Sequence, residues 1–289
     1  MPPLPLALLL LAAVMHASWN LLVKRATERQ VFMWWALCVG ALCCLPLLLV
    51  DGSLPVGVLP FILASAVAEG AYYLSLTRAY HHADFSLVYP MARGAAPVFL
   101  LVWSVLLLGD RPRPGGYAGL ALLVCGLMLV GSAAWLVRRP ALPSAPFSRG
   151  PLLALGVAFC ISIYTAIDGT AVHVPSASPV GYTVAVMGCT AVLLGPPLLA
   201  FYGRRALVTE LRLNWPRIVV VGVLNIVTYI LVLLAYQMSR VSYAGAIREV
   251  SVVFGALLGW LVLGERFGTY RLVGAALIFA GIVFIAVAG

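Results

Sequence analysis

Five ionisable residues lie inside long apolar runs of this chain: Glu69, Arg93, Asp168, Arg248 and Glu249. A charge at the centre of a bilayer costs about 2.5–3.5 kcal/mol on insertion scales, so each such residue needs a partner or a task. Two of the five are guanidinium groups, whose planar donors grip a carboxylate, phosphonate or phosphate bidentately. Arg93 follows Pro90 by three residues. Proline frees a backbone carbonyl and kinks its helix, so Arg93 is expected beside an irregular, solvated stretch that lines a cavity. The plainer reading has each arginine snorkel or be neutralised by an acid such as Glu69 or Glu249. Glu69, in mid-run, suits a coupling proton, a substrate ammonium group, or service as the counter-ion of Arg93.

Around these charges stand residues able to shape a pocket. His16, Trp19 and Asn20 recur at helical spacing in the first apolar run, and Tyr164 and Asp168 do so in the sixth. Such a polar and aromatic face can line a pore, although a lone histidine in an apolar helix is more often a hydrogen-bonded core group. Tyr89 joins them as a pore candidate, together with Tyr72, Tyr73, Tyr80, Tyr229 and Tyr236, several of which also fit interfacial aromatic belts. The six cysteines all lie in apolar runs, and none has CxxC or Cys/His spacing, so neither a disulfide nor a metal is expected. No nucleophile elbow, phosphate loop, dinucleotide fingerprint or HExxH motif occurs. No catalytic residue and no cofactor are expected, and an enzyme is disfavoured.

The elements that position these residues follow from composition. Of 289 residues 63% are hydrophobic and 9% charged, and the mean hydropathy is +1.07, whereas a soluble domain carries roughly a quarter charged residues. Apolar stretches of the ~20 residues that span a bilayer follow one another along the chain. Punctuation by Gly, Pro and charge places ten transmembrane helices near 4–23, 31–50, 57–79, 84–108, 115–137, 150–171, 179–201, 216–238, 242–263 and 268–288. The N-terminal run lacks a preceding basic region and is read as the first membrane helix. The formal charge of +9 sits mostly in short connections and forms no continuous face, so it reads as membrane orientation and not nucleic-acid binding. Odd-numbered connections carry 13 basic residues and even-numbered ones three. The positive-inside rule then puts both termini outside a bacterial-type inner membrane.

Sliding the chain on itself by 155 positions aligns Arg93 with Arg248, Gly109-Asp110-Arg111 with Gly264-Glu265-Arg266, Gly119 with Gly274 and Gly126 with Gly281. With one gap near position 82, Tyr73 meets Tyr229 and Glu69 meets Asn225. Residues 1–137 therefore form one five-helix repeat, 138–149 a Pro- and Ser-rich linker, and 150–289 a second repeat. Because five is odd, the second repeat is inverted in the membrane, and a substrate site is expected near the midplane where the halves meet.

This all-α plan of two five-helix inverted-topology repeats, with Leu108-Gly109-Asp110-Arg111 and Leu263-Gly264-Glu265-Arg266 closing the fourth helix of each half, resembles the EamA family of the drug/metabolite transporter superfamily. Members of that family export amino acids, opines, drugs and other metabolites, and relatives move sugar phosphates. His16-Ala-Ser-Trp-Asn20, Val88-Tyr-Pro-Met-Ala-Arg93-Gly94 and Tyr164-Thr-Ala-Ile-Asp168-Gly169 are similar to an EamA subgroup, some members of which are associated with phosphonate utilisation. The glutamate that small four-helix multidrug members carry on their first helix has no counterpart here.

These observations point to a secondary transporter, an exporter by family resemblance, working by alternating access. Its expected substrate is a small zwitterionic or anionic metabolite such as an amino acid, an opine-like compound or a phosphonate. Arg93 and Arg248 would bind the anionic group, Glu69 would handle a proton or amine, and His16, Trp19, Asn20, Tyr89, Tyr164 and Asp168 would shape the pocket. The alternative is efflux of organic cations by proton antiport on Glu69, Asp168 and Glu249, with dispensable arginines. The expected partners are substrate, lipid bilayer and coupling proton. Gly255 and Gly259 form a GxxxG that suits either packing within the chain or a homodimer, so the chain is read as a monomer or homodimer.

Overall fold

The computed structural model describes residues 1–23, 26–82, 85–137, 150–263 and 269–288. Among these the fold is helical throughout. The helices are α1 (Pro3–Val23), α2 (Arg29–Cys44), a short α3 (Leu48–Asp51), α4 (Leu59–His82), α5 (Phe85–Leu107), α6 (Pro114–Val137), α7 (Gly150–Ala171), α8 (Pro179–Met238), α9 (Val241–Arg248), α10 (Ser251–Leu263) and α11 (Thr269–Ala288). Five helical stretches among the described residues are long and apolar enough to cross a membrane: Pro3–Val23, Arg29–Asp51, Val56–Leu76, Gly150–Ala171 and Pro179–Met238. Met91–Leu107, Pro114–Val130 and Leu272–Ala288 are shorter apolar helices. Large apolar side chains such as Leu49, Val50, Val192 and Phe279 point outward, as lipid-facing residues do. The linker 138–149 and the second Gly-Glu-Arg, at 264–266, lie outside the described residues.

Two boundaries differ from the sequence reading. The charged stretch 202–215, expected as a connection, is helical apart from Gly203, whose φ of 74° and ψ of 159° interrupt α8. Arg204, Arg205, Ala206, Leu207, Glu210 and Leu211 are good helix formers, and tertiary contacts hold the segment. Leu207 is buried and its carbonyl accepts from the Trp35 indole at 2.9 Å. Glu210 accepts the Glu28 backbone N–H at 3.1 Å, satisfying an otherwise orphan donor where α2 begins. The two limbs of α8 turn back on one another, since Asn225 of the second reaches Met187 of the first at 3.9 Å. α2 lies against both limbs: Trp34 donates to Ala191 of the first at 2.8 Å, and Gly40 meets Gly222 of the second backbone to backbone.

The second difference concerns 242–263, expected as one helix. It breaks after Arg248, where Glu249 and Val250 form turns closed by hydrogen bonds from Glu249 N–H to Ala246 O (3.1 Å) and Val250 N–H to Ile247 O (3.0 Å). α5, by contrast, is helical through Pro90, so the irregular backbone expected beside Arg93 is contributed by the second repeat.

α6 and α11 pack closely and run antiparallel. A Cβ on Gly119 would lie 2.8 Å from the Gly281 carbonyl, and one on Gly126 would lie 2.6 Å from that of Gly274. Such contact through glycines is the usual way membrane helices gain close packing. Gly255 of the GxxxG meets nothing within 4 Å, so it makes no such contact among the described residues.

Candidate substrate-binding site

The Gly109-Asp110 turn sets the second arginine in place. Gly109 adopts a positive φ of 69° that allows the chain to leave α5, while Asp110 N–H returns to Ser104 O at 3.0 Å. The Asp110 carboxylate then accepts from both the backbone N–H (3.1 Å) and the hydroxyl (2.8 Å) of Ser242. This caps the N-terminus of α9, favourably for the helix dipole. α9 carries Arg248 at its other end, immediately before the break.

At that break the two repeats meet through charge. Arg93 of α5 donates from Nη1 to Glu249 Oε2 at 2.8 Å, and Arg248 Nη2 stands 3.5 Å from Glu249 Oε1. One carboxylate therefore faces both guanidinium groups, and it is 2% exposed while the arginines retain 13% and 12%. Arginine keeps its charge in proteins, so the triad holds positive charge in excess. The acid that takes the Arg93 hydrogen bond is Glu249, while Glu69 turns to Thr190.

Aromatic groups surround the triad. His16 Nε2 lies 3.4 Å from Arg93 Nη2, and the His16 ring meets Trp19 edge-on at 4.5 Å. The buried Trp19 indole nitrogen has no hydrogen-bond partner among the described residues. Arg248 donates to the Tyr164 hydroxyl at 3.2 Å. Its guanidinium carbon sits 5.8 Å from the Tyr164 ring and 5.9 Å from the Tyr229 ring, distances at which cation–π attraction operates. Tyr72 extends this wall, 6.1 Å from Tyr164 and 5.0 Å from Tyr73.

The other two acids take hydroxyl donors. Asp168, fully buried, accepts from Tyr182 at 2.6 Å and from Tyr229. Glu69 accepts from Thr190 at 2.9 Å. Asn20 donates its amide to the His16 carbonyl at 2.7 Å on its own helix. Tyr89 lies on α5, but its side chain is outside the described residues. Sequence reasoning missed Tyr182 and Thr190 as partners. Their signal was a hydroxyl in an apolar run, YTVAVMGCT at 182–190, which alone does not say which acid it meets. Among the described residues no group of three His, Cys, Asp or Glu is placed to hold a metal.

The comparisons with known proteins agree with this architecture. A solved crystal structure superposes with a TM-score of 0.79 at 19% identity, covering 99% of this chain and 99% of its own, a likeness of fold. Among curated protein sequences none matches. The sequence model described as the EamA-like transporter family matches residues 4–132 and 148–287, one copy in each half of the chain. The chain is thus a multi-pass membrane protein that belongs to the EamA-like transporter family.

Proposed function

We propose that this protein is a secondary transporter that binds a small anionic or zwitterionic metabolite between Arg93 and Arg248 and moves it by alternating access. The observation that carries the reading is the convergence of one arginine from each repeat on the single carboxylate of Glu249. A substrate carboxylate or phosphonate has the shape and charge to take that place. The helix break at Glu249 supplies the discontinuous segment that such sites use. Arg248 rests on Tyr164 and Tyr229, which pre-orient its guanidinium. Glu69, held by Thr190 on the first limb of α8, handles a coupling proton or the ammonium of a zwitterion. Export, as opposed to uptake, rests on family resemblance.

The reading includes ten crossings in two inverted halves, with both termini outside a bacterial-type inner membrane. Two contacts support it. Gly119 and Gly126 have Gly274 and Gly281 as repeat mates at an offset of 155, yet each packs against the other's mate, Gly119 on Gly281 and Gly126 on Gly274. That exchange is what a two-fold axis across antiparallel helices produces. The Met1 ammonium also donates to the Ala286 carbonyl at 2.8 Å, which brings the start of α1 to the end of α11, as an even number of crossings requires. Thiol labelling of the Ser53→Cys and Thr27→Cys variants in intact cells tests the orientation. Position 53 should react from outside and position 27 from the cytoplasm, and the reverse pattern refutes it.

The substrate reading is tested by a thermal-shift screen of the purified protein against amino acids, opines, phosphonates, phosphate esters and quaternary amines, run beside Arg93→Gln. Stabilisation by an anion or zwitterion that disappears in the variant supports it. Efflux of organic cations is the second reading, favoured by the hydroxyl donors that Asp168 and Glu69 take among the described residues. Stabilisation by amines alone, unchanged in Arg93→Gln, selects that reading.

A further inference from the structure

A cavity of about 320 Å³ lies apart from the charged triad, between α2, α4 and the first limb of α8. Its walls are Met33 and Trp34 of α2, Tyr73 and Leu74 of α4, and Leu194 and Phe201 of α8. Polar groups also line it: Arg78, and Gln30, whose side-chain oxygen accepts from the Tyr202 hydroxyl at 2.6 Å. Tyr73 follows Glu69 by four residues, and Leu194 follows Thr190 by four. Residues four apart share a helix face, so the inner end of the cavity is one helical turn from the Glu69–Thr190 hydrogen bond. From Tyr73 an aromatic line leads through Tyr72 and Tyr164 to Arg248.

We propose that this cavity is a specificity subsite that takes the apolar, aryl-sized body of an anionic substrate, with the Glu69–Thr190 contact as the gate between it and the arginines. An apolar chamber with a few convergent polar groups at one edge is the usual construction of a small-molecule site. Its volume suits one aromatic ring and its substituent, and Trp34, Tyr73 and Phe201 offer ring faces and edges to it. With the head group on Arg93 and Arg248 and the ring in the cavity, molecules with an acid at one end and an aryl group at the other are selected over small acids. The inference rests on the anion-binding reading for the head group, whereas the aryl preference stands on the cavity alone.

The test is a calorimetric comparison of two probes that share a head group, methylphosphonate and phenylphosphonate, on the purified full-length protein. Phenylphosphonate should bind roughly tenfold more tightly or better, the return expected for burying a ring. Leu74 is 39% exposed at the open side of the cavity, so Leu74→Trp fills it from outside. That variant should abolish the preference and leave methylphosphonate unchanged. If Leu74→Trp does not fold, Met33→Ala decides, because widening the same wall should shift preference from phenyl- to naphthylphosphonate. Equal binding of the two probes, or a preference that neither variant alters, overturns the subsite and leaves the arginine site standing. Binding of benzylamine but of neither phosphonate, still sensitive to Leu74→Trp, supports the aryl subsite and overturns the anionic head group. Acyl chains that co-purify in the cavity without any phenyl preference also overturn the proposal.

Discussion

Arg93 and Glu249 are 156 positions apart in sequence and 2.8 Å apart in space, joining α5 to the break between α9 and α10. The contact ties the two repeats together where the buried charges are densest. A buried ion pair is weak support for stability in itself, since desolvation offsets much of the attraction, but removing one partner strands the other.

Stability should therefore fall unequally. Glu249→Gln leaves two guanidinium groups facing one another, whereas Arg93→Gln leaves Glu249 with Arg248 at 3.5 Å. Each single change is expected to cost about 3–5 kcal/mol, with Glu249→Gln the worse, and the double variant should recover much of the loss. Melting temperatures of the four proteins in one detergent measure the cycle; additive losses contradict the coupling.

Anion affinity should move the opposite way. With Glu249→Gln the arginines lose their resident carboxylate, so methylphosphonate should bind about tenfold more tightly than to wild type, by the tenfold that ~1.4 kcal/mol represents. It should also raise the variant's melting temperature more than the wild type's. Weaker binding in Glu249→Gln contradicts that competition.

Asp168 offers a separate test. Tyr229→Phe retains the ring beside Arg248 but removes a hydroxyl donor, as Tyr182→Phe does on the other carboxylate oxygen. Each is expected to destabilise by about 1–3 kcal/mol, the cost of an unmet buried acceptor. The pair should be non-additive because the donors share one acid. Chemical denaturation followed by tryptophan fluorescence reads this.

Two glycines provide opposite expectations. Gly126→Leu drives a side chain against the Gly274 carbonyl and Ile278, and should prevent α6 from seating on α11. Gly255→Ala meets open space among the described residues and should be neutral or stabilise by about 0.5–1 kcal/mol through helix propensity. Yield of monodisperse protein on size exclusion separates the two.

Much of this arrangement is visible in the sequence because a bilayer penalises charge. Glu69, Arg93, Asp168 and Arg248 stand out against apolar runs, and the 155-residue offset pairs the arginines before any coordinates are known. What is not visible has local causes. Ile247-Arg248-Glu249-Val250-Ser251 contains no Gly or Pro, so nothing in it announces the break. The turn forms where Glu249 can reach Arg93, and spacing alone leaves Glu69 and Glu249 equal candidates for that contact. Residues 204–215 read as a connection because four basic residues lie in 204–217. Their helix propensity and the contacts of Leu207 and Glu210 prevail instead, leaving Gly203 as the interruption.

The position of Glu249 has a consequence for any anion that uses Arg93 and Arg248. A tethered carboxylate cannot be diluted away, so it competes at a fixed, high effective concentration. The bound anion is then always opposed by a rival waiting at the same two guanidinium groups. Apparent affinity drops, which favours turnover over retention and suits a carrier better than a receptor.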